Sequence, residues 1–272
     1  MNDARFQEAK QAYDAGDYRA AVKGFVAAAG SEVEGSGSAY HMAGNALMRL
    51  RKHSDAVMVY TQALKDEVYD RRGALRSNLA AAYVVLAEYP KAVEEYQAAL
   101  EELDYQKQYR ALQGLAGALF DMKKYADAAA AYRQAALDGD NPDPGKALNN
   151  LGLCFMAMGR PADAIEAYRA ALGFETYEGR GKALANLGIS YSVMGVHDDA
   201  VKSFKKALEL HGHELSEQAR EAYSMSETAL AKPERVVVDG NAGVFLHHAG
   251  PADVRIGLVD HDHHVGQTQK EG

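Results

Sequence analysis

The chain has 272 residues, of which 47% are hydrophobic and 25% charged, and its formal net charge is -8 with His neutral. This acidic balance argues against nucleic-acid binding, because proteins that bind phosphates concentrate Lys and Arg. Cys154 is the only cysteine, which excludes an internal disulfide and a Cys-rich zinc site. No run approaches the ~18 apolar residues of a membrane span, and the segment after Met1 lacks the apolar core of a secretory signal. We therefore expect a cytoplasmic protein without membrane insertion.

A repeat of 36 residues, with one gap of 35, runs along the chain from its first predicted elements. Its anchors are small residues, namely Ala21, Ala56, Ala92, Ala128, Ala164 and Ala200. Four positions after each anchor comes Phe or Tyr, and three positions later comes another Ala. Residues spaced by four and three share one face of a helix, so each anchor predicts an amphipathic helix with a small–aromatic–small face.

A second helix is predicted before each anchor. Twelve positions upstream the residue is again small, as in Ala9, Gly44, Ala80, Ala116, Gly152 and Gly188. In five of these six cases a larger apolar residue follows three positions later, and a short break separates the two helices. Each unit is thus predicted to be a helical hairpin. One hairpin cannot bury both of its faces, so neighbouring hairpins must stack.

Two units match a known repeat closely. Both units share Asn-Leu-Gly, then an aromatic residue, a glycine at the turn and the small–aromatic–small face. One of them runs from Asn186 to Leu208. In the other the pattern consists of Asn150, Leu151, Gly152, Phe155, Gly159, Ala164, Tyr168, Ala171 and Leu172. This pattern resembles the tetratricopeptide repeat family, over about Asn2 to Leu210, although the family's commonest unit is 34 residues. The resemblance implies an all-α, right-handed α-solenoid of about six hairpins.

The predicted domain organisation follows the repeat. The units span residues 2–30, 37–70, 73–106, 109–140, 145–176 and 181–212, and an amphipathic helix over 214–231 is predicted to cap the last hairpin. The composition changes after residue 231. Residues 232–272 are predicted to form a flexible or short-stranded, His-rich tail.

The resemblance implies that the first helices of successive units line a concave groove that binds a protein or peptide partner. The candidate groove residues are Asn45, Arg49, Asn78, Arg110, Lys146, Asn149, Asn150, Lys182 and Asn186. Three of the asparagines share one repeat position, and an amide suits a peptide backbone because it both donates and accepts. The basic excess of the set favours an acidic segment or a free C-terminal carboxylate. The alternative is that these polar residues only form a solvent-exposed helix face, and that they occupy matching positions because the repeat was duplicated.

Other functional classes have weaker signals. His261, His263 and His264 lie in an Asp-His-Asp-His-His run that could bind a divalent transition metal, although a polar tail has the same composition. No phosphate-binding loop, nucleophile elbow or His-Glu-x-x-His motif occurs. We therefore expect no enzymatic activity and no cofactor. The leading hypothesis is a scaffold or adaptor; the alternatives are a metal-binding or metal-responsive protein acting through the tail, and a self-assembling structural solenoid.

Overall fold

The structure, a computed structural model, describes residues 1–30, 34–103, 105–210 and 212–231, and in these residues helices are the only regular secondary structure. They form two compact units, of which unit 1 is Met1–Asn141 and unit 2 begins at Pro142. The helices of unit 1 are α1 (Asp3–Asp14), α2 (Tyr18–Ala29), α3 (Gly37–Arg49), α4 (His53–Ala63), α5 (Arg72–Val85), α6 (Tyr89–Glu101), α7 (Gln108–Asp121) and α8 (Tyr125–Leu137). Those of unit 2 are α9 (Pro144–Ala157), α10 (Pro161–Leu172), α11 (Arg180–Val193), α12 (His197–Glu209) and α13 (Glu217–Ala231).

Within each unit, consecutive helices pack against one another. The pairs α1/α2, α3/α4, α5/α6 and α7/α8 are the hairpins of unit 1, and α9/α10 and α11/α12 are those of unit 2. The helix α13 packs on both α11 and α12. The predicted all-α helical-repeat fold is confirmed.

Every hairpin turn uses the same left-handed helix ending. The turn residue has a positive φ in each case, at Gly16, Arg51, Ala87, Lys123, Gly159 and Gly195. The next N–H bonds to the carbonyl five residues earlier, as in Lys52 to Leu47 at 2.9 Å, which satisfies a carbonyl at the helix end. Three of the six turn residues are not Gly and adopt φ of 58 to 60°, a conformation that is unfavourable for a residue with a Cβ.

The core of each hairpin is the small–aromatic–small face. All six anchor alanines have 0% exposure, and Phe25, Tyr60, Tyr168 and Phe204 are at most 1% exposed. In three hairpins the facing residue is glycine, which makes room for the ring: a Cβ on Gly44 would lie 2.2 Å from Cε1 of Tyr60. The glycine therefore sets the interhelical distance through volume rather than through backbone freedom.

A second ring-on-glycine contact joins the start of a first helix to the connection that follows the second helix of the hairpin. The residue at the N-terminus of a first helix contacts a ring 32 positions later, in the pairs Gly37/Tyr69, Gly73/Tyr105, Gly145/Tyr177 and Gly181/His213. The fourth repeat instead has Tyr109 at the glycine position and Asn141 at the ring position, and both are buried.

Arginine side chains cap some second helices from the following repeat. Nη1 of Arg72 donates to the carbonyls of Leu64 and Asp66, at 3.2 and 3.1 Å. In unit 2, Arg180 makes the same pair of bonds at the same repeat positions. These bonds satisfy carbonyl groups that a helix end leaves without intrahelical partners.

Candidate functional site

Unit 1 contains a groove of about 950 Å³. Its walls include Phe6 and Lys10 from α1, four residues of α3 and five of α5. Those of α3 are Ser38, His41, Met42 and Asn45, and those of α5 are Arg72, Gly73, Ala74, Ser77 and Asn78. The connections that precede α5 and α7 contribute the rest, together with Glu101 at the end of α6 and Arg110 of α7. The groove therefore runs past the first helices of the hairpins, which is the surface that the sequence predicted.

The groove has an excess of positive charge. Its ionisable lining residues are Lys10, Arg71, Arg72, Lys107 and Arg110 on the basic side and Asp70, Glu101 and Glu102 on the acidic side, besides His41 and two tyrosines. The Glu102 carboxylate is already engaged, since Oε1 accepts from Nε of Arg76 at 3.1 Å and lies 3.7 Å from Nε of Arg72. Among the described residues, Lys10, Arg71, Lys107 and Arg110 form no ion pair. Four of the five groove cations thus lack a carboxylate partner in this part of the chain.

A chain of hydrogen bonds underlies one wall of the groove and links α3 to α5. Tyr60 Oη donates to Asn45 Oδ1 at 2.8 Å. Nδ2 of Asn78 is 3.0 Å from the same oxygen and 2.9 Å from Nε2 of His41. The other ring nitrogen of His41 is 2.8 Å from Oη of Tyr69, which lies in the connection before α5. Five side chains from two repeats are therefore connected continuously.

The titratable members of this chain are neutral at physiological pH. Burial, with a smaller contribution from the Arg71 guanidinium, lowers the pKa of His41 to about 4. Burial raises the pKa of Tyr69 to about 12, although Arg71 acts in the opposite direction. The pKa of Tyr60 is raised as well, because its hydroxyl is desolvated. An uncharged network is what a poorly hydrated wall requires.

The predicted groove residues of unit 1 fall into different environments. Asn45, Asn78 and Arg110 line the groove, whereas Arg49 does not and instead lies on the exposed side of α3. The guanidinium of Arg49 is 5.9 Å from the ring centroid of Tyr18. The amides of Asn45 and Asn78 are half-buried and bonded to each other, so they first of all join two repeats.

The predicted residues of unit 2 repeat this arrangement in part. Asn186 Nδ2 donates to Asn149 Oδ1 at 3.2 Å, which links α11 to α9 at the positions where Asn78 meets His41. Asn149 is buried, Asn150 is half-buried, and Lys146 and Lys182 are exposed. Asn149 and Asn186 therefore also bridge repeats, and the two lysines are the exposed members of the set.

Sequence reasoning missed His41, Tyr69, Arg71 and Lys107 as groove residues. The sequence contained a signal for Arg71 and Lys107, because these two basic residues share one repeat position, directly before α5 and α7. Tyr69 shares its position with Tyr105 and Tyr177. His41 had no such signal, since its equivalents are Ser77, Gln113, Asn149 and Ala185.

Comparison with known sequences places the chain in a family. The model of the family described as Tetratricopeptide repeat matches residues 41–107 and 114–180. The chain belongs to the tetratricopeptide repeat family. No curated protein sequence matches it. Tetratricopeptide repeat proteins generally mediate protein–protein interactions, binding protein or peptide partners, and their scaffold is generally non-enzymatic.

Solved structures of tetratricopeptide repeat proteins are similar to this chain. A crystal structure of MamA protein is 26% identical with a TM-score of 0.56, over 64% of this chain and 90% of MamA. MamA from Desulfovibrio magneticus RS-1 is 18% identical with a TM-score of 0.57, over 66% of this chain and 97% of that chain. YrrB, described as a TPR protein with an unusual peptide-binding site, is 18% identical with a TM-score of 0.53, over 71% of this chain and 90% of YrrB. The latter two likenesses show the fold alone.

The remaining sequence predictions have the following outcomes in this tetratricopeptide repeat protein. His261, His263 and His264 lie outside the described residues, as does the whole predicted tail. In the described ranges, no group of three His, Cys, Asp or Glu residues is arranged to hold a metal ion. None of the described helices is long and apolar enough to cross a membrane.

Proposed function

We propose that this protein is a scaffold or adaptor that binds an extended, acidic segment of a partner protein in the groove of unit 1. The observation that supports this most directly is the set of groove cations without carboxylate partners among the described residues, Lys10, Arg71, Lys107 and Arg110. In a protein of net charge -8, a basic groove attracts acidic ligands, whereas the acidic remainder of the surface repels them.

Helix geometry adds to this attraction. Arg71 and Lys107 are the residues directly before α5 and α7, and Arg110 lies in the first turn of α7. Helix N-termini carry partial positive charge and N–H groups without intrahelical partners. Carboxylates of a bound segment are therefore favoured at this end of both helices, in addition to their attraction to the side chains.

The test is a charge reversal with a matched control. The variant Lys107→Glu/Arg110→Glu changes two exposed residues at a helix N-terminus, where Glu is compatible with helix formation. The control Arg19→Glu/Lys23→Glu makes the same change of net charge at two exposed positions of α2 that do not line the groove. The probe is a fluorescein-labelled peptide with Glu at every third position among Gly and Ser, measured by fluorescence anisotropy.

We expect the groove variant to weaken binding by roughly tenfold or more and the control to change it by less than about threefold, because close charge pairs at a binding site couple much more strongly than distant charges. A version of the probe with Gln in place of Glu should bind weakly to all three proteins. Amidated and free C-termini on the same probe distinguish internal carboxylates from a terminal one. Equal affinity of wild type and groove variant would contradict the proposal.

The exposed lysines of unit 2 are proposed as a second contact stripe. Lys146 and Lys182 occupy the repeat position of Arg110, one turn before Asn150 and Asn186. A Lys146→Glu/Lys182→Glu variant should weaken the same probe if unit 2 contributes. Unchanged affinity would confine the site to unit 1.

We also infer a cytoplasmic location and a non-enzymatic role. Cys154 is fully buried, and burial raises the pKa of its thiol to about 12, so it is unsuited to nucleophilic chemistry. Recovery of the native protein in a secreted or membrane fraction would contradict the location. A metal titration of the full chain and gel filtration at two concentrations test the metal-binding and self-assembly alternatives.

A further inference from the structure

The direction of the hydrogen-bond chain under the groove is set at its buried end. Tyr60 is 1% exposed, and among the described residues its hydroxyl has one hydrogen-bond partner, Oδ1 of Asn45. A buried O–H that fails to donate costs free energy comparable to a lost hydrogen bond. Tyr60 must therefore donate, and the atom of Asn45 that faces it must be the amide oxygen.

Each later bond follows from that one. Because the oxygen of Asn45 faces Asn78, the group that Asn78 turns towards it must be the amide NH₂. The second hydrogen of the same NH₂ points to Nε2 of His41, which therefore accepts. In a neutral imidazole one nitrogen accepts and the other carries the hydrogen. The hydrogen of His41 is thus on Nδ1 and is donated to Oη of Tyr69.

Four members of this chain line the groove, and Tyr69 is the one at the end of the chain opposite Tyr60. Its Oη accepts from His41, so its own hydroxyl hydrogen is not used within the chain, and no described residue accepts it. The side chain is half-buried and lines the groove, next in sequence to Asp70 and Arg71. The hydroxyl stays protonated at neutral pH, because burial raises the pKa of Tyr69 to about 12.

We propose that the hydroxyl of Tyr69 is a specificity determinant of the unit 1 groove, which donates a hydrogen bond to a carboxylate or carbonyl oxygen of the bound segment. This inference rests on the proposed function, since it concerns the ligand of the same groove. It adds a directional requirement to the general attraction of charge: the segment must place an acceptor beside α3 and α5. A donor group at that point would meet the O–H of Tyr69 and lose affinity.

The first experiment tests the direction of the chain without any ligand. Long-range proton–nitrogen NMR spectra of the ¹⁵N-labelled full chain distinguish the two neutral tautomers of histidine, and a His41→Gln variant assigns the signal. We expect the Nδ1–H tautomer for His41. The Nε2–H tautomer would mean that Tyr69 donates inwards to His41, and it would overturn the proposal even if acidic peptides bind.

The second experiment measures binding of the Glu-containing probe to single-hydroxyl variants. Tyr69→Phe should weaken the affinity by roughly tenfold to a hundredfold, the range expected for a hydrogen bond to a charged group. Tyr177→Phe removes the hydroxyl at the same repeat position in unit 2 and should change the affinity by less than about twofold. Similar affinities of Tyr69→Phe and wild type would overturn the proposal.

A third variant separates direction from simple damage to the groove. Tyr60→Phe leaves every groove-lining residue in place but removes the donor that fixes Asn45. The chain can then reverse, so the Nε2–H tautomer of His41 should appear and the probe should bind more weakly. A Tyr60→Phe protein with an unchanged tautomer would contradict the argument. Absence of binding by the wild type would instead refute the proposed function, while the tautomer result would stand.

Discussion

Two tyrosines at one repeat position differ in a single hydrogen bond, and this difference predicts opposite effects of the same substitution. Tyr60 and Tyr168 are 1% and 0% exposed, and each packs on a glycine of the preceding helix. The hydroxyl of Tyr60 donates to Asn45, whereas that of Tyr168 is buried with no partner among the described residues. The reason is at the acceptor position, where Asn45 is matched by Leu153 in unit 2.

The magnitudes follow from the two environments. Tyr60→Phe removes a satisfied hydrogen bond and should lower the free energy of unfolding by about 1 kcal/mol. Tyr168→Phe removes a buried hydroxyl that lacks a partner, and since such a group costs roughly 1–3 kcal/mol, stability should stay constant or rise by about 1 kcal/mol. Neither change creates an appreciable cavity, because the ring is retained.

Hydrogen exchange read by mass spectrometry is the appropriate assay, because it reports local unfolding free energies for each unit even if the chain does not unfold in one step. Peptides covering α4 should exchange faster in Tyr60→Phe, and peptides covering α10 should exchange equally or more slowly in Tyr168→Phe. Acceleration of similar size in both variants would refute the reasoning, since it would show that the hydroxyl of Tyr168 contributes as much as that of Tyr60. A Leu153→Asn variant should then supply Tyr168 with an acceptor, as Asn45 does for Tyr60.

Three further predictions concern particular positions. The pKa of His41 is lowered to about 4 from an ordinary 6.5, so between these pH values the unfolded chain binds a proton that the folded chain does not. The contribution of His41 to the free energy of unfolding is therefore full above pH 6.5 and should fall by about 3 kcal/mol towards pH 4. Urea titrations at several pH values should show a smaller fall in His41→Gln. Ala87→Gly should raise the free energy of unfolding by about 1 kcal/mol, because φ at this turn is 58°; a lower melting temperature would contradict this. On α7, Gly114→Ala should lower the free energy of unfolding by about 1–3 kcal/mol, because its Cβ would lie 2.2 Å from Cζ of Tyr96. In the same thermal melts Gly117→Ala should raise the free energy of unfolding by up to about 1 kcal/mol, because the nearest contact of its Cβ is at 3.7 Å.

The sequence also predicted which surface to examine, but not what each polar residue there does. Asn78 and Asn186 were predicted to meet a peptide backbone, and that role stays a prediction. The structure adds that both amides bond to the preceding repeat, Asn78 to His41 and Asn186 to Asn149. These partners are 37 residues away, so no local pattern along one helix could have indicated them.

What the sequence by itself determined is the repeat. Spacings of four, three and 36 residues reflect the period of a helix and the length of one hairpin, and both are local properties of the chain. The small residue facing each aromatic ring could be identified in the same way, because a ring such as Tyr60 needs the space that Gly44 leaves.

What only the tertiary structure decided is the chemistry of the groove. The direction of the hydrogen-bond chain depends on the burial of Tyr60, on Asn45, which faces its hydroxyl, and on His41, which lies on the same helix as Asn45. Which groove cations retain a carboxylate partner depends likewise on three-dimensional distances, as for Arg72 beside Glu102. Hydrogen bonds and ion pairs are satisfied between groups that meet in space, so repeat periodicity can place these residues on a surface but cannot assign their partners.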